Sequence, residues 1–296
     1  MAKVSILMNG YNAQKYLKEA IDSIYAQTFN DWEIIFVDNC SIDNTKKIVD
    51  GYDSKIKYYK TEENIPLGAA RNFGLEYCKS EYVAFLDTDD IWLEDKLMLQ
   101  VKLMDMNPKY RLCYGGVIYI DENSKEIGRM LPMANTKNAF AQQLKGYEIN
   151  MQSVLLRNNQ QLRFNEELRH SPDFDLFMNI ISKYKVCILK KYIVKYRKLE
   201  NSLTSKNIDV WWNEMKYTLD RVFVKDMELK NKYHIEYKFA YAKVAYNKAR
   251  YLISIGKKNE ASKELVKYKF INYQYFILYI ASLFPVSVWN FIHKYK

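Results

Sequence analysis

The first 120 residues alternate between two patterns of hydrophobic positions. Short runs of consecutive apolar residues are separated by stretches in which apolar residues recur every three or four positions. The consecutive runs lie at residues 4–8, 32–38, 56–60 and 82–87, and the spaced pattern at residues 15–27, 43–50, 67–79 and 93–106. Unbroken apolar strands that alternate with helices are typical of a parallel sheet covered on both faces. The pattern therefore predicts an α/β fold with a mostly parallel sheet flanked by helices.

Beyond this region the pattern becomes mixed and then entirely helical. Further strands are predicted at residues 111–121, 126–131, 151–158 and 186–198, and a further helix at residues 173–182. The sequence after residue 205 predicts helices, including a hairpin of two helices that turns at Gly256. We therefore predict an α/β domain at residues 1–204 and a helical C-terminal appendage at residues 205–296.

The net charge of +10 is distributed unevenly along the 296 residues. Residues 1–90 carry a net charge of −5, whereas residues 91–200 and 201–296 carry +6 and +9, which indicates different partners for the two ends of the chain. Four widely spaced cysteines and three scattered histidines argue against a zinc site and a disulfide framework. Any metal is therefore expected to be a hard cation held by carboxylates.

The C-terminal segment combines basic and aromatic residues. Residues 270–292 contain no Asp, Glu, Lys or Arg and are rich in Tyr, Phe and Trp, as membrane-interface segments are. Polar residues and Pro285 make this segment a poor membrane-spanning helix. Two alternatives remain: residues 268–296 contact an anionic membrane surface, or they form a helix buried against the α/β domain. The chain begins with a strand pattern and no signal peptide, so we expect a cytoplasmic protein, peripheral on the inner face of the plasma membrane in the first case.

Polar side chains follow three of the predicted strands. The sequences NGYN, DNCSIDNT and DTDDIW come directly after the runs at 4–8, 32–38 and 82–87, and ligands of parallel sheets bind beyond the carboxyl ends of the strands. The last of these places Asp87, Asp89 and Asp90 within four positions, where they repel one another unless a cation compensates. A divalent metal that bridges to a diphosphate supplies this compensation.

Four motifs in order resemble one known family. VSILMNGYN, FVDNCSIDNT, NIPLGAARNFG and FLDTDDIW look like glycosyltransferase family two, whose members have the GT-A fold, and the resemblance covers about residues 3–204. It implies an inverting glycosyltransferase of the hexosyltransferase type that uses a nucleotide-sugar donor, here with UDP. In that family, residues matching Tyr11 and Asn12 border the nucleotide, the acid matching Asp38 hydrogen-bonds the uracil, and an arginine matching Arg71 lies near the nucleotide. From the residues alone, Arg71 equally fits a helix cap or a core ion pair.

The resemblance also implies the metal ligands. In the family's D-x-D element, matched by Asp87 and Asp89, the carboxylates contact the ribose and hold Mg²⁺ or Mn²⁺ on the donor diphosphate. Asp90 is expected to support them. Trp92 follows closely and either forms one wall of the acceptor site or belongs to the core.

The catalytic base is expected at a helix start. HSPDFDLFMNI resembles the family's acidic segment, with Asp173 at the position of the base and Pro172 where the family usually has another acid. Asp173 is also a suitable first-turn residue, and a helix N-terminus favours an ionised carboxylate. Asp175 either supports the site or pairs with a cation. The base would remove the acceptor hydroxyl proton during a single displacement that inverts the anomeric centre, as in inverting glycosidases.

A final match is partial. In VKYRKLENSLT, Tyr196, Arg197 and Ser202 match the family's last catalytic segment, but Leu199 stands where many members have a histidine that approaches the metal. This departure puts the third protein contact to the metal in doubt and makes Arg197 the expected partner of the diphosphate. The other interpretation of Arg197 is an exposed strand end.

Two other classes of protein are alternatives to a glycosyltransferase: a nucleic-acid-binding protein and a catalytically inactive scaffold. Positive charge and aromatic residues also occur in nucleic-acid-binding proteins, but no such motif is present and the charge lies away from the acidic cluster, so we expect no nucleic-acid partner. A catalytically inactive scaffold is the second alternative, because of Leu199. For the enzyme, the basic tail favours a glycan acceptor linked to a polyprenyl diphosphate, as in polysaccharide biosynthesis, and a soluble saccharide is the alternative.

Overall fold

The computed structural model describes residues 1–159, 162–199, 208–224 and 226–283. The chain forms two compact units, the first comprising residues 1–143 and 148–200 and the second residues 144–147 and 201–296. The predicted boundary at residues 204 and 205, and the predicted site residue Ser202, fall outside the described residues. The same holds for the predicted interfacial segment after Leu283.

The first unit is built on one mixed sheet. Its nine described strands are β1 (Val4–Gly10), β2 (Trp32–Asp38), β3 (Ile56–Lys60), β4 (Tyr82–Phe85), β5 (Ile91–Trp92), β6 (Tyr110–Ile120), β7 (Glu126–Met130), β8 (Leu155–Arg157) and β9 (Lys185–Arg197). The helices that accompany them are α1 (Leu17–Tyr25), α2 (Thr45–Val49), α3 (Leu67–Leu75), α4 (Lys96–Met106), α5 (Ala139–Lys145) and α6 (Pro172–Lys183).

The order of the strands is β3-β2-β1-β4-β8-β6-β9-β5, with β7 paired to β6. The strands β3, β2, β1 and β4 are parallel neighbours, and β6 is parallel to β9. Since β8 is antiparallel to both β4 and β6, the carboxyl ends of β6 and β9 lie at the same edge as those of β1, β2 and β4. The predicted α/β fold with a mostly parallel sheet is confirmed. The strands predicted at residues 111–121 and 126–131 correspond to β6 and β7, which pair antiparallel.

The hydrophobic core lies between this sheet and its helices. The helical face predicted from apolar spacing in α1 is confirmed, because Leu17, Ile21 and Ile24 are fully buried. They join a cluster that includes residues of β1, β2, β4, α4 and β9. Burial of this continuous apolar surface is the main stabilising contribution to the sheet.

The strand predicted at residues 151–158 is shorter than expected. A 3₁₀ turn at Met151–Ser153 comes first, and the side chain of Asn150 accepts a hydrogen bond from the backbone N–H of Gln152 at 3.0 Å. An Asx cap of this kind competes with strand pairing. The extended strand β8 therefore begins at Leu155.

The second unit is helical. Its described helices are α7 (Ile208–Val224), α8 (Met227–Lys232), α9 (His234–Ser254), α10 (Lys258–Val266) and α11 (Tyr273–Leu283). The predicted hairpin is confirmed: α9 and α10 are joined at Gly256, whose φ of 80° suits glycine. The residues buried between α9, α10 and α11 include Ile253, Leu265 and Leu278. Within the described ranges, none of the helices has both the length and the apolar character needed to cross a membrane.

The side chain of Arg197, at the end of β9, joins three separate segments. Its Nε donates to the backbone oxygen of Asp89 at 2.9 Å, and its Nη1 donates to the backbone oxygen of Asp121 and to Ser124 Oγ at 3.2 and 2.9 Å. Its Nη2 forms an ion pair with Glu19 Oε2 at 2.6 Å. The guanidinium therefore connects α1, the segment after β4 and the turn between β6 and β7.

These contacts exclude one of the two sequence-based interpretations of Arg197. The residue is only 2% exposed, so it is not an exposed strand end. Its donors bind protein acceptors in this structure, and its contact with a diphosphate stays a prediction. No local sequence pattern indicates these contacts, because the partners of Arg197 are up to 178 positions away.

We expect Arg197→Met to lower the free energy of unfolding by about 2–4 kcal/mol, because it leaves buried acceptors without their charged donor. Thermal unfolding without nucleotide measures this loss. Arg129→Met is the matched control, since Arg129 is exposed and pairs with Glu126 on the surface, and it should change stability by less than about 1 kcal/mol. If Arg197→Met unfolds like the parent protein but loses its stabilisation by UDP, Arg197 is a ligand of the nucleotide after all.

Candidate active site

The loops after β1 and β2 form one hydrogen-bonded unit. The backbone N–H of Asn12 donates to Ser41 Oγ at 2.9 Å, and the carboxamide oxygen of Asn12 accepts from the N–H of Ile42 at 3.0 Å. Both Asn12 and Cys40 have left-handed backbone conformations, with φ of 50° and 66°. Tyr11 is exposed beside them. The predicted nucleotide-bordering residues therefore lie on an ordered loop pair at the carboxyl edge of the sheet.

Asp38 lies beneath this loop pair and is almost completely buried. Its Oδ1 accepts a hydrogen bond from the N–H of Ser41 at 2.7 Å, and its Oδ2 accepts one from the hydroxyl of Tyr58 at 2.5 Å. Burial and the neighbouring Asp38 raise the pKa of Tyr58, so Tyr58 remains a hydrogen-bond donor at neutral pH. Tyr58 is a contributor that the sequence analysis missed, because it lay within an ordinary strand pattern.

The first acid of the D-x-D element is held from two sides. Asp87 Oδ1 accepts a hydrogen bond from Arg71 Nη2 at 3.1 Å, and Arg71 is buried with its guanidinium 5.5 Å from the ring centre of Phe164. Gln152, on the 3₁₀ turn, donates from Nε2 to Asp87 Oδ2, and its Oε1 accepts from the N–H of Asp87. Of the two interpretations of Arg71, the structure therefore has the core ion pair, and the acidic partner is Asp87, a predicted site residue.

Asp89 and Asp90 are left with less compensation. Burial, together with the charge of Asp87, raises the pKa of Asp89 to about 6. Burial and both neighbouring acids raise the pKa of Asp90 well above its ordinary value. Asp90 Oδ1 accepts from the N–H of Arg197 at 2.7 Å, whereas its Oδ2 is buried without a hydrogen-bond partner. Three acidic side chains therefore lie together at this edge, and their mutual repulsion raises the pKa values of Asp89 and Asp90.

The acidic cluster suits a hard divalent cation in its chemistry. Within the described residues, Asp89 forms no ion pair, and the charge of Arg197 offsets only part of the effect of burial on its pKa. In the same part of the chain, no three His, Cys, Asp or Glu side chains are arranged to enclose a metal. A cation here would therefore need oxygen atoms from a ligand in addition to Asp89.

Asp173 lies at the N-terminus of α6. Burial raises the pKa of its carboxyl, and the charge of Asp87 acts in the same direction. Two effects oppose this and lower the pKa of Asp173: the charge of the Arg71 guanidinium, and hydrogen bonds from the backbone N–H groups of Asp173 and Phe174. Arg71 is therefore close enough to influence both Asp87 and Asp173, and it brings the predicted base and the D-x-D element into one site.

The segment before α6 is fixed to α3. The carboxamide of Asn72 forms a two-point contact with Phe164, because its Nδ2 donates to the backbone oxygen at 2.9 Å and its Oδ1 accepts from the N–H at 2.8 Å. This contact holds the start of α6 beside Arg71, which lies on the same helix as Asn72. Asp175 is buried on α6, which agrees with a supporting role.

Trp92 belongs to the core. It is 2% exposed, its indole N–H donates to the backbone oxygen of Gln152 at 3.0 Å, and Lys96 Nζ lies 4.0 Å from its ring centre. The alternative that Trp92 forms a wall of the acceptor site is therefore not supported. Its short strand β5 pairs with β9, and this pairing places the ring between α4 and the sheet.

The chain is similar to known proteins in sequence and in fold. The model of glycosyl transferase family 2 matches residues 5–183. Over 205 residues, the chain is 32% identical to the Escherichia coli UDP-Glc:alpha-D-GlcNAc-diphosphoundecaprenol beta-1,3-glucosyltransferase WfgD, an alignment that covers 68% of this chain and 79% of WfgD.

Two solved structures resemble the fold. S. aureus TarS 1–349 in complex with UDP aligns with a TM-score of 0.65 at 21% identity, covering 89% of this chain and 78% of that one. Mannosyltransferase PcManGT from Pyrobaculum calidifontis in complex with GDP-Man and Mn²⁺ aligns with a TM-score of 0.55 at 15% identity, covering 98% and 87%. At such identities the likeness concerns the fold, and it confirms the predicted GT-A architecture. The chain thus belongs to glycosyl transferase family 2 and is a glycosyltransferase with a GT-A fold.

Proposed function

We propose that this enzyme transfers a sugar from a UDP-sugar to a hydroxyl group of a lipid-linked glycan, with inversion of the anomeric centre. The observation that carries the proposal is the convergence of Arg71, Asp87 and Asp173 at the carboxyl edge of the sheet. A donor-binding acid and a candidate base that share one arginine suit a single displacement. The UDP complex of TarS, which has the same fold, supports the choice of nucleotide.

In this proposal the donor lies over the loops after β1, β2 and β4. Tyr11 and Asn12 border the nucleotide, and Arg71 and Asp87 meet its ribose side. Asp38 bonds Ser41 and Tyr58, so its contribution to uracil recognition includes holding the loop in shape.

We further propose that Mg²⁺ or Mn²⁺ is the cofactor and that Asp89 holds it, with Asp87 beside it. Such a cation neutralises charge on the diphosphate leaving group. Asp89 fits this role because burial raises its pKa, so a neighbouring cation would stabilise its ionised form. Leu199 offers no metal ligand, and the diphosphate oxygens would complete the coordination.

Asp173 is proposed as the base. Its carboxylate takes the proton of the acceptor hydroxyl while that oxygen forms a bond to the anomeric carbon. The bond from this carbon to the diphosphate oxygen breaks on the opposite face, and its electron pair leaves with UDP. The charge of Arg71 lowers the pKa of Asp173 against the larger effect of burial, and the N-terminus of α6 acts in the same direction as Arg71.

The proposed acceptor is linked to a polyprenyl diphosphate, which places the enzyme at a membrane. WfgD, by its name, acts on a diphosphoundecaprenol-linked GlcNAc. In this chain α11 buries one side on α9 and α10 and exposes an apolar side with Tyr273, Phe276 and Ile277. Residues 265–296 contain no Asp or Glu. This combination suits peripheral contact with anionic lipid headgroups on the cytoplasmic leaflet.

The proposed reaction can be tested with purified protein and synthetic GlcNAc-diphosphate-lipid. Incubation with a panel of UDP-sugars and Mn²⁺ should release UDP and yield one glycosylated lipid with inverted anomeric configuration, identified by NMR. Excess EDTA should abolish the reaction, and added Mn²⁺ should restore it. Transfer to a soluble saccharide, with no reaction of the lipid, would favour the alternative acceptor. Full activity in EDTA would exclude the metal.

Replacement of the proposed base gives a sharper test. Asp173→Asn should lower kcat by roughly two to four orders of magnitude with little change in donor KM, because the amide cannot accept the proton. Because the pKa of Asp173 is raised, the base becomes protonated earlier as the pH is lowered. On acidification, kcat of the parent enzyme should therefore begin to fall at a higher pH than it would with an Asp of ordinary pKa. Asp175→Asn is the matched control on the same helix. If Asp175→Asn is inactive while Asp173→Asn turns over normally, the base is Asp175.

Membrane contact predicts flotation with liposomes. The parent protein should float with phosphatidylglycerol vesicles at low salt, and high salt should weaken this binding. Phe276→Gln combined with Ile277→Gln should reduce flotation by removing exposed apolar area, while Met106→Gln, at an exposed position on α4, should not. A parent protein that remains at the bottom of the gradient at low salt would contradict membrane docking.

A further inference from the structure

We infer that Gln152 is a positioning residue for the donor: it fixes the orientation of the Asp87 carboxylate and thereby keeps Arg71 available to both Asp87 and Asp173. This inference rests on the proposed donor site and adds a residue that none of the sequence motifs contains. Gln152 lies 65 positions after Asp87, on the 3₁₀ turn before β8.

The contact between Gln152 and Asp87 has two points. Gln152 Oε1 accepts from the backbone N–H of Asp87 at 2.9 Å, and Gln152 Nε2 donates to Asp87 Oδ2. Because both ends of the carboxamide are bound, its orientation is determined by the contact itself. Gln152 is 1% exposed, so its carboxamide is shielded from water.

Gln152 is itself held rigidly. Its N–H donates to Asn150 Oδ1 at 3.0 Å, and its backbone oxygen accepts from the indole of Trp92. The next residue, Ser153, is also buried, and its backbone oxygen accepts from Gln100 Nε2 at 2.8 Å. A buried turn with these contacts can impose an orientation on a neighbour without moving itself.

The consequence for Asp87 follows from the geometry of carboxylates. Rotation about the terminal bond of an Asp side chain is soft, and a free Asp87 would turn toward the bidentate pairing that arginine favours. Gln152 occupies Oδ2, so Arg71 bonds Oδ1 alone. The guanidinium of Arg71 therefore keeps N–H groups for other partners. The remaining lone pairs of Asp87 keep a fixed direction toward the proposed nucleotide-sugar.

Removal of this contact should therefore weaken donor binding more than it damages the fold. For Gln152→Met, which preserves length and packing, we expect the Kd for UDP and the donor KM to rise about tenfold and kcat to change less than about threefold. Binding of UDP is measured by calorimetry both with Mn²⁺ and in excess EDTA, so that the result does not depend on turnover. Gln152→Glu should bind UDP more weakly still, because it sets a second carboxylate against Asp87.

Gln100→Met is the matched control. Gln100 is a fully buried glutamine that bonds the same turn without touching Asp87, so its replacement should lower Tm and leave the Kd for UDP unchanged. If Gln152→Met lowers Tm in the same way and also leaves the Kd unchanged, Gln152 has a structural role alone and the inference is wrong.

A swapped pair tests the contact separately from the function. In Asp87→Asn combined with Gln152→Glu, the backbone N–H of residue 87 still donates to the side chain of residue 152, and the side-chain hydrogen bond is restored with donor and acceptor exchanged. The double variant should therefore have a higher Tm than the two single losses predict. It should still bind UDP poorly. Additive losses would refute the contact. A second outcome is a non-additive Tm for the double variant together with no binding of UDP by the parent protein. This outcome would confirm the contact but refute UDP-sugar as the donor, and with it the positioning role of Gln152.

Discussion

The active site depends on how negative charge is compensated at a largely dehydrated edge of the sheet. Asp87, Asp89 and Asp90 follow one buried strand, and carboxylates removed from water are unstable unless cations or hydrogen bonds replace the water. Each of the three has a different compensation. Asp87 has Arg71 and Gln152, Asp90 has one backbone N–H, and Asp89 has the charge of Arg197 without an ion pair among the described residues. This unequal support gives three adjacent acids three different chemical properties.

Arg71 extends this balance to the base. Burial alone would favour a protonated Asp173, which could not accept a proton from the acceptor. The same guanidinium that bonds Asp87 lowers the pKa of Asp173. The donor-binding part and the base of the site therefore share the charge of Arg71. Because Asn72 fixes the segment before α6 to α3, this contact also influences the pKa of Asp173 through its distance from Arg71.

The sequence predicted the elements and the acidic cluster because both depend on local patterns. Consecutive apolar runs determined the strands, and the ends of parallel strands must meet, so Asp38 and Asp87 were placed at one edge without knowledge of their contacts. Gln152 could not be found in this way. Its segment had the composition of a strand, and its importance arises from a partner distant in sequence. Arg197 and Trp92 were left open for the same reason, since burial between distant segments leaves no local signal.

The loop after β2 has one further consequence. Of the four cysteines, Cys78, Cys113 and Cys187 are buried, so these thiols are shielded from alkylating reagents. Burial also raises the pKa of Cys78 to about 12. Cys40 is partly exposed in the left-handed turn beside Asn12. The enzyme therefore carries a single accessible thiol at the mouth of its nucleotide loops, and a fluorophore attached there would report on loop ordering in solution without any engineered cysteine.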